Sequence, residues 1–167
     1  PVGVNGASLV SYRRCEDLER DLAMTDPDLV ILGIGINDAS GDNFQTKVFI
    51  ERYMELIGKI RDINPDCAII FITNNDSCRR IKKVYVDNPN GALAQEAFHS
   101  LAKRYDAAVW DLFDVMGGLE SVFEWEKQGL VKKDKIHFTN EGYMILGDLL
   151  YNAIAEQFDA WKEGAVR

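Results

Sequence analysis

Two histidines, three cysteines and four prolines are all that 167 residues contain of those types. Each scarcity excludes something. Cys15, Cys67 and Cys78 are odd in number and irregularly spaced, which fits neither a disulfide framework nor a zinc site. Cys67 opens an apolar stretch and reads as a small buried hydrophobe. A Cys–His catalytic pair through Cys78 would need a depressed thiol pKa, and only the basic residues after it offer a cause. With two histidines and no ligand spacing, metal binding by Asp134 and His137 lacks a third ligand. Long hydrophobic runs are missing too: nothing approaches the roughly 18 consecutive apolar residues of a membrane span. Positive charge is in deficit. The net charge is −8, which argues against a nucleic-acid partner but leaves room for an anionic ligand in one local pocket. The chain opens on Pro1-Val2-Gly3 with neither an initiator Met nor a charged leader. That start reads as processed or trimmed, and the compartment stays open. A secreted or periplasmic protein with its signal removed is compatible with it.

What is present is ordinary for a globular domain. Apolar residues make up 47% and charged residues 28%, and the length suits one domain with a substantial core. Residues 1–11 read as a strand end running into a loop at Gly3 and Gly6, where glycine permits positive φ or close backbone approach. Residues 12–24 read as a helix, with Leu18 and Leu22 on one face. The run 29–34 is apolar without alternation, as in a strand buried on both faces of a parallel sheet. It ends in Gly35-Ile36-Asn37-Asp38. Residues 44–63 carry Phe49, Tyr53, Leu56, Ile60 and Ile63 at helical spacing. A second doubly buried strand, 68–72, ends in Thr73-Asn74-Asn75-Asp76.

Residues 76–91 are the least regular and hold the basic cluster Arg79, Arg80, Lys82 and Lys83. A helix over 92–104 turns Leu93, Ala97 and Leu101 inward. A short strand, 107–110, ends at Asp111. Residues 112–128 are helical or loop-like and break at Gly117-Gly118. A last helix, about 140–162, carries the apolar face Tyr143, Leu146, Leu150, Ile154, Phe158 and Trp161.

Strands separated by helices imply an α/β fold, a doubly wound three-layer sandwich with a mostly parallel sheet. Ligands of such sheets sit beyond the carboxyl ends of the strands. The residues with chemistry collect there: Asn37-Asp38, Asn74-Asn75-Asp76 and Asp111, with Asp134 and His137 on the loop before the last helix. A histidine three residues from a carboxylate can move a proton at neutral pH. To hydrolyse an ester, its Nε2 must take a proton from a nucleophile while the carboxylate holds Nδ1–H. Donors must also meet the oxyanion, each worth about 3–4 kcal/mol. Asn37 offers a side-chain N–H₂, and Gly6 a backbone N–H.

These residues resemble the SGNH, or GDSL, hydrolases. Gly35-Ile36-Asn37-Asp38 is similar to that family's Gly-x-Asn-Asp block. Asp134-Lys135-Ile136-His137, continued by Asn140-Glu141-Gly142-Tyr143, is similar to its Asp-x-x-His block. Gly3-Val4-Asn5-Gly6-Ala7-Ser8 looks like its loop-glycine block. The three occur in family order and span nearly the whole chain. The resemblance implies a flavodoxin-like sandwich and a serine esterase with no cofactor. It implies His137 as base, Asp134 as its orienting partner, and Asn37 and Gly6 as oxyanion donors. It also implies a small-molecule or polysaccharide ester as substrate, commonly a short acyl or acetyl group on a carbohydrate or cell-wall polymer.

One block is absent. There is no Gly-Asp-Ser, and Ser8, Ser11 and Ser77 are not in the family position; nor is Ser8 in a nucleophile elbow. The expectation is a single domain over 1–167, incomplete at its N-terminus. The serine and the first strand would come from an upstream segment or a companion chain, and strand 29–34 should show an unpaired apolar flank or pair with another polypeptide. A non-catalytic carbohydrate- or partner-binding domain is the alternative. Plainer readings stand beside the rest. Asp38 braces its loop. His99 is a structural helix residue. The cluster Arg79–Lys83 is a solvated face or a contact for an anionic or sugar substrate, and Asn74 and Asn75 end a strand or line the pocket.

Overall fold

Two continuous apolar runs, rich in Val and Ile, set the architecture, because such residues favour strands and their lack of alternation asks for cover on both sides. The computed structural model describes residues 3–164. It divides into two compact units, Pro1–Ser121 and Val122–Arg167.

In the first unit, α1 (Leu9–Arg13) and α2 (Leu18–Thr25) precede β1 (Leu29–Leu32), and α3 (Thr46–Ile63) leads to β2 (Ala68–Ile72). Then come β3 (Cys78–Ile81), β4 (Val84–Asp87), α4 (Asn90–Tyr105), β5 (Ala108–Trp110) and α5 (Leu112–Met116). The main sheet has the order β1-β2-β5 and is parallel throughout, with Leu29 opposite Ala68 and Ile70 opposite Ala108. Strands joined through helices are what the α/β reading required.

The core lies on one face of this sheet. Phe49 and Tyr53 of α3, Phe71 of β2 and Phe98 of α4 form a cluster of edge-to-face and tilted rings with centroids 5.1–5.9 Å apart. All four are essentially sealed from solvent. Such rings contribute about 2–3 kcal/mol each by burial alone.

Several expectations are corrected. The helix expected over 12–24 is two short helices, α1 and α2, separated by a turn at Arg14–Asp17. The strand end expected at the start falls partly on residues 1 and 2, outside the described residues, and Gly3–Ser8 is loop and turn. Leu93 is 43% exposed, and Ala94 takes the inward position beside Ala97 and Leu101; a one-residue advance on a helix turns the side chain by about 100°. Strand β1 is not buried on both faces. Val30 and Leu32 join the core, whereas Leu29 and Ile31, on the opposite face, are 46% and 42% exposed. Strand β1 bonds to β2 alone, so its other edge is unpaired among the described residues.

The irregular stretch 76–91 contains an antiparallel hairpin, β3–β4, paired from Cys78–Asp87 to Ile81–Val84. Its two-residue turn is Lys82-Lys83, both at positive φ.

Helix α6 (Ser121–Lys127) bridges the division between the units. The second unit continues with a loop and α7 (Asn140–Lys162). The loop is closed by an antiparallel bridge between Val131 and Phe138. Phe138 meets the rings of Trp125 and Tyr143 edge-on. Of the apolar face expected on α7, only Leu146 is buried; Tyr143, Ile154, Phe158 and Trp161 remain 42–60% exposed. Among the described residues, no helix is long and apolar enough to cross a membrane.

Candidate active site

The first unit presents the two expected oxyanion donors side by side. Gly6 sits at φ +73 in a turn closed by Ala7 N–H donating to the Val4 carbonyl at 3.0 Å. A left-handed position of this kind favours glycine. Asn37, exposed at the end of the loop after β1, donates its side-chain N–H to the Ala7 carbonyl at 2.8 Å. One amide hydrogen of Asn37 therefore ties the two loops together, and the second is left for another acceptor.

The loop carrying Asn37 is fixed from beneath. Gly35 has φ +136, and a Cβ there would lie 2.9 Å from the Phe49 ring and 3.0 Å from Asn74 Oδ1. Only glycine lets the backbone pass. The buried Tyr53 hydroxyl donates to the Ile34 carbonyl. The Ala39 carbonyl accepts from Asn88 and Asn90 at 3.1 and 2.9 Å, and the Gly41 carbonyl accepts from Asn90 at 2.8 Å.

Asp38 has the bracing role expected of it. Its carboxylate accepts from Leu9 N–H at 2.9 Å, which fixes the start of α1, and from Arg52 at 3.3 Å. Burial pushes its pKa up, and the Leu9 N–H and the Arg52 guanidinium only partly oppose that. Ser8 and Ser11 serve the same helix start, with Ser8 N–H donating to Ser11 Oγ at 3.1 Å. Ser77 is buried at the root of the hairpin.

In the second unit, Asp134 and His137 meet. The imidazole Nδ1 is 3.0 Å from Asp134 Oδ2. The other carboxylate oxygen accepts from the backbone N–H groups of Ile136 and His137 at 3.0 and 2.9 Å. Lys135, at φ +57, makes the tight reversal that lets acid and base face each other. Burial pushes the Asp134 carboxyl up, but the backbone and imidazole bonds from His137 and the Ile136 N–H outweigh it, so its pKa is lowered. An ionised partner on Nδ1 places the accepting lone pair on Nε2.

This loop is anchored at both ends. Lys132 N–H donates to the His137 carbonyl at 2.7 Å, and Thr139 N–H to the Leu130 carbonyl at 2.9 Å. Thr139 caps α7 by accepting from Gly142 N–H at 3.2 Å. Glu126 is gripped by Lys133 and Lys135 at 2.6 and 2.9 Å, which holds its pKa down at about 2.

The remaining histidine also has a carboxylate partner, with the ring the other way round. His99 uses Nε2 to meet Asp111 Oδ2 at 2.7 Å. Asp111 further accepts from Gln95 at 2.8 Å, from Thr73 at 3.0 Å and from Asp114 N–H at 3.2 Å, capping α5. A carboxylate committed to four donors is a structural node, consistent with the plainer reading of His99. Sequence reasoning missed Tyr53, Asn88 and Asn90 as supports of the Asn37 loop. Pro89-Asn90-Gly91 marked a helix start and gave no sign of a partner some 50 residues away. Among the described residues, no group of three or more His, Cys, Asp or Glu is placed to hold a metal ion.

Comparison with known proteins sets these residues in a family. The chain is similar in structure to a peptidoglycan O-acetylesterase, with a TM-score of 0.84 and 28% identity over 95% of this chain. It spans only 46% of that protein's length. An acetyl xylan esterase shares the fold at a TM-score of 0.69 and 18% identity, covering 92% of this chain and 79% of the other. A lipase/acylhydrolase from Enterococcus faecalis does so at 0.66 and 22%, covering 91% and 72%. No curated protein sequence matches the chain. The model of the GDSL-like lipase/acylhydrolase family matches residues 2–145, across the Gly6, Asn37 and Asp134–His137 blocks alike, and the chain belongs to that family.

Proposed function

We propose that this chain supplies the base and the oxyanion donors of an ester hydrolase that removes short acyl groups, acetyl above all, from a carbohydrate or cell-wall polymer. The observation that carries the reading is the orientation of His137, whose Nδ1 is held by Asp134 so that Nε2 is free to accept a proton. The tie between Asn37 and the Gly6 turn supports the second half. The acetyl preference is supported by the 28% identical peptidoglycan O-acetylesterase.

In this mechanism a serine hydroxyl attacks the ester carbonyl carbon and gives its proton to His137 Nε2. The oxyanion is met by Gly6 N–H and the free amide hydrogen of Asn37. Collapse breaks the carbon–oxygen bond to the sugar, and the leaving alkoxide takes the proton from His137. Water, deprotonated by the same imidazole, then attacks the acyl-serine; collapse releases the acid, and the departing serine oxygen takes the proton back from His137. The serine lies on residues outside this chain, upstream or on a companion chain. The strand that carries it pairs with the edge of β1 that is unpaired among the described residues, completing a single domain.

The test is hydrolysis of p-nitrophenyl acetate and acetate release from O-acetylated peptidoglycan by the intact protein. Both should fall to background in His137→Ala, and the chain 1–167 alone should form no acyl-enzyme. Turnover that survives His137→Ala would sink the reading in favour of another base.

A further inference from the structure

The hairpin β3–β4 has a composition and a turn that the fold does not require. Arg79, Arg80, Lys82 and Lys83 fall within five consecutive residues of a chain whose net charge is −8. Among the described residues, Arg79 alone of these forms an ion pair, to Asp42. Arg80 lies over the Tyr85 ring at 5.8 Å, and among the described residues neither it nor Lys82 or Lys83 forms an ion pair. Ile81 and Val84, flanking the turn, are 44% and 62% exposed. The tip is thus a small apolar platform edged by three cations that form no ion pair among the described residues.

The turn itself is strained. Lys82 and Lys83 sit at φ +47 and +72. A two-residue hairpin loop with both residues left-handed selects Asn-Gly or Asp-Gly, since other side chains crowd the backbone there. Lysine at both positions is the poorer choice for folding and the better one for charge.

The root, by contrast, is rigid, and it grows from the floor of the Asn37 loop. Asn88 N–H donates to the Ser77 carbonyl at 3.2 Å, closing the hairpin's base. Asn88 and Asn90 reach across to the carbonyls of Ala39 and Gly41, and Arg79 to Asp42. A ligand held at the tip is therefore held at a fixed offset from the loop that carries the proposed oxyanion donor.

We propose that the β3–β4 tip is a subsite for a carboxylate-bearing polysaccharide, the polymer on which the ester is carried. This rests on the esterase reading for its biological sense, though not for its test. Arg80, Lys82 and Lys83 meet carboxylates along the chain, while Ile81 and Val84 lie against the apolar faces of sugar rings. A membrane surface or a nucleic acid fits less well, because the cations are confined to one narrow turn and form no broad basic face.

Native gel electrophoresis of the intact protein through polygalacturonate reads binding without needing turnover. Retardation is expected in polygalacturonate and not in its fully methyl-esterified form, and it should fall with salt. The double variant Lys82→Asn/Lys83→Gly removes two charges and gives the turn its preferred residues, so it should fold at least as well. Its affinity for polygalacturonate should drop roughly five- to tenfold. Equal retardation of variant and wild type, no retardation of either, or equally strong sedimentation with phosphatidylglycerol vesicles would overturn the proposal. A protein that binds polygalacturonate in this way yet fails to hydrolyse p-nitrophenyl acetate would refute the esterase reading alone.

Discussion

The side-chain amide of Asn37 donates to the carbonyl of Ala7 at 2.8 Å, thirty residues away. That bond ties the amide to the Gly6 turn, so the two proposed oxyanion donors on separate loops are linked directly. Preorganised donors of this kind act without reorganising during the reaction. Asn37→Ala should lower kcat of the intact protein about 10²- to 10³-fold with little change in KM. Asn37→Asp should be no better, since it puts a negative charge beside the proposed oxyanion. A change confined to KM would assign Asn37 to substrate binding.

Asp134 is predicted to act through His137 and not on substrate. Asp134→Asn keeps the shape but favours the wrong imidazole tautomer, and should cost on the order of 10⁴-fold in kcat. Steady-state kinetics on p-nitrophenyl acetate would check it, with KM expected to hold. A loss of less than tenfold would make Asp134 a loop brace, which its bonds to Ile136 and His137 N–H would also allow.

Part of the acid sensitivity should trace to Asp111, as well as to Glu126 and Asp134, whose carboxyls are also held low. Burial raises its carboxyl, but Gln95, His99, Asp114 N–H and Thr73 outweigh it, and the folded pKa lies below the usual 3.8. A carboxylate with a depressed folded pKa stabilises above its unfolded value, and that contribution is lost as pH falls through the folded one. The melting temperature of the wild type should therefore fall more steeply below pH 3.8 than that of Asp111→Asn. Parallel curves would place the acid response elsewhere. Asp38 has the opposite sign: its raised pKa favours the protonated form on folding, so it cannot account for a loss of stability in acid.

Two glycines should be irreplaceable and a third improvable. A Cβ at Gly142 would stand 2.2 Å from the Leu130 carbonyl oxygen, and one at Gly35 would meet Phe49 at a strained φ. Each change to alanine should cost at least about 2 kcal/mol. Gly58 lies in the middle of α3 with nothing within 4 Å of a Cβ. Gly58→Ala should stabilise by about 0.5–1 kcal/mol. Denaturant midpoints measure all three.

How far the sequence could be read depended on the range of the signal. Phe49, Tyr53, Leu56 and Ile60 recur at the helical period, and all four are buried on α3. Asp134 and His137 are three residues apart and meet because a short loop can do little else. The hairpin β3–β4 was hidden because Lys82-Lys83 is the wrong dipeptide for a tight turn, so its alternation had no punctuation to mark it. Strand β1 looked doubly covered because an apolar run reports what a strand could bury and not what lies beside it; Leu29 and Ile31 stay exposed. The supports of the Asn37 loop were out of reach altogether. Asn90 and Gly41 are 49 residues apart, and no local pattern announces a side chain bonded to a distant carbonyl.

Tyr53 is the most deeply buried of those supports and gives the sharpest check on them. Its hydroxyl is fully buried, its pKa is pushed well above 10 chiefly by that burial, and it donates to the Ile34 carbonyl, three residues before Asn37. Tyr53→Phe keeps the ring contacts with Phe49, Phe71 and Phe98 and removes only the oxygen. The Ile34 carbonyl then loses its side-chain donor, at a cost of about 1–2 kcal/mol. Because the lost bond lies beneath the Asn37 loop, kcat should also fall, by roughly three- to tenfold, as the donor geometry loosens. Tyr53 touches no substrate, so the two effects should be coupled. In a double-mutant cycle with Asn37→Ala, the catalytic cost of Tyr53→Phe should vanish while its stability cost remains. If the catalytic cost persists without Asn37, the ring supports some other part of the site.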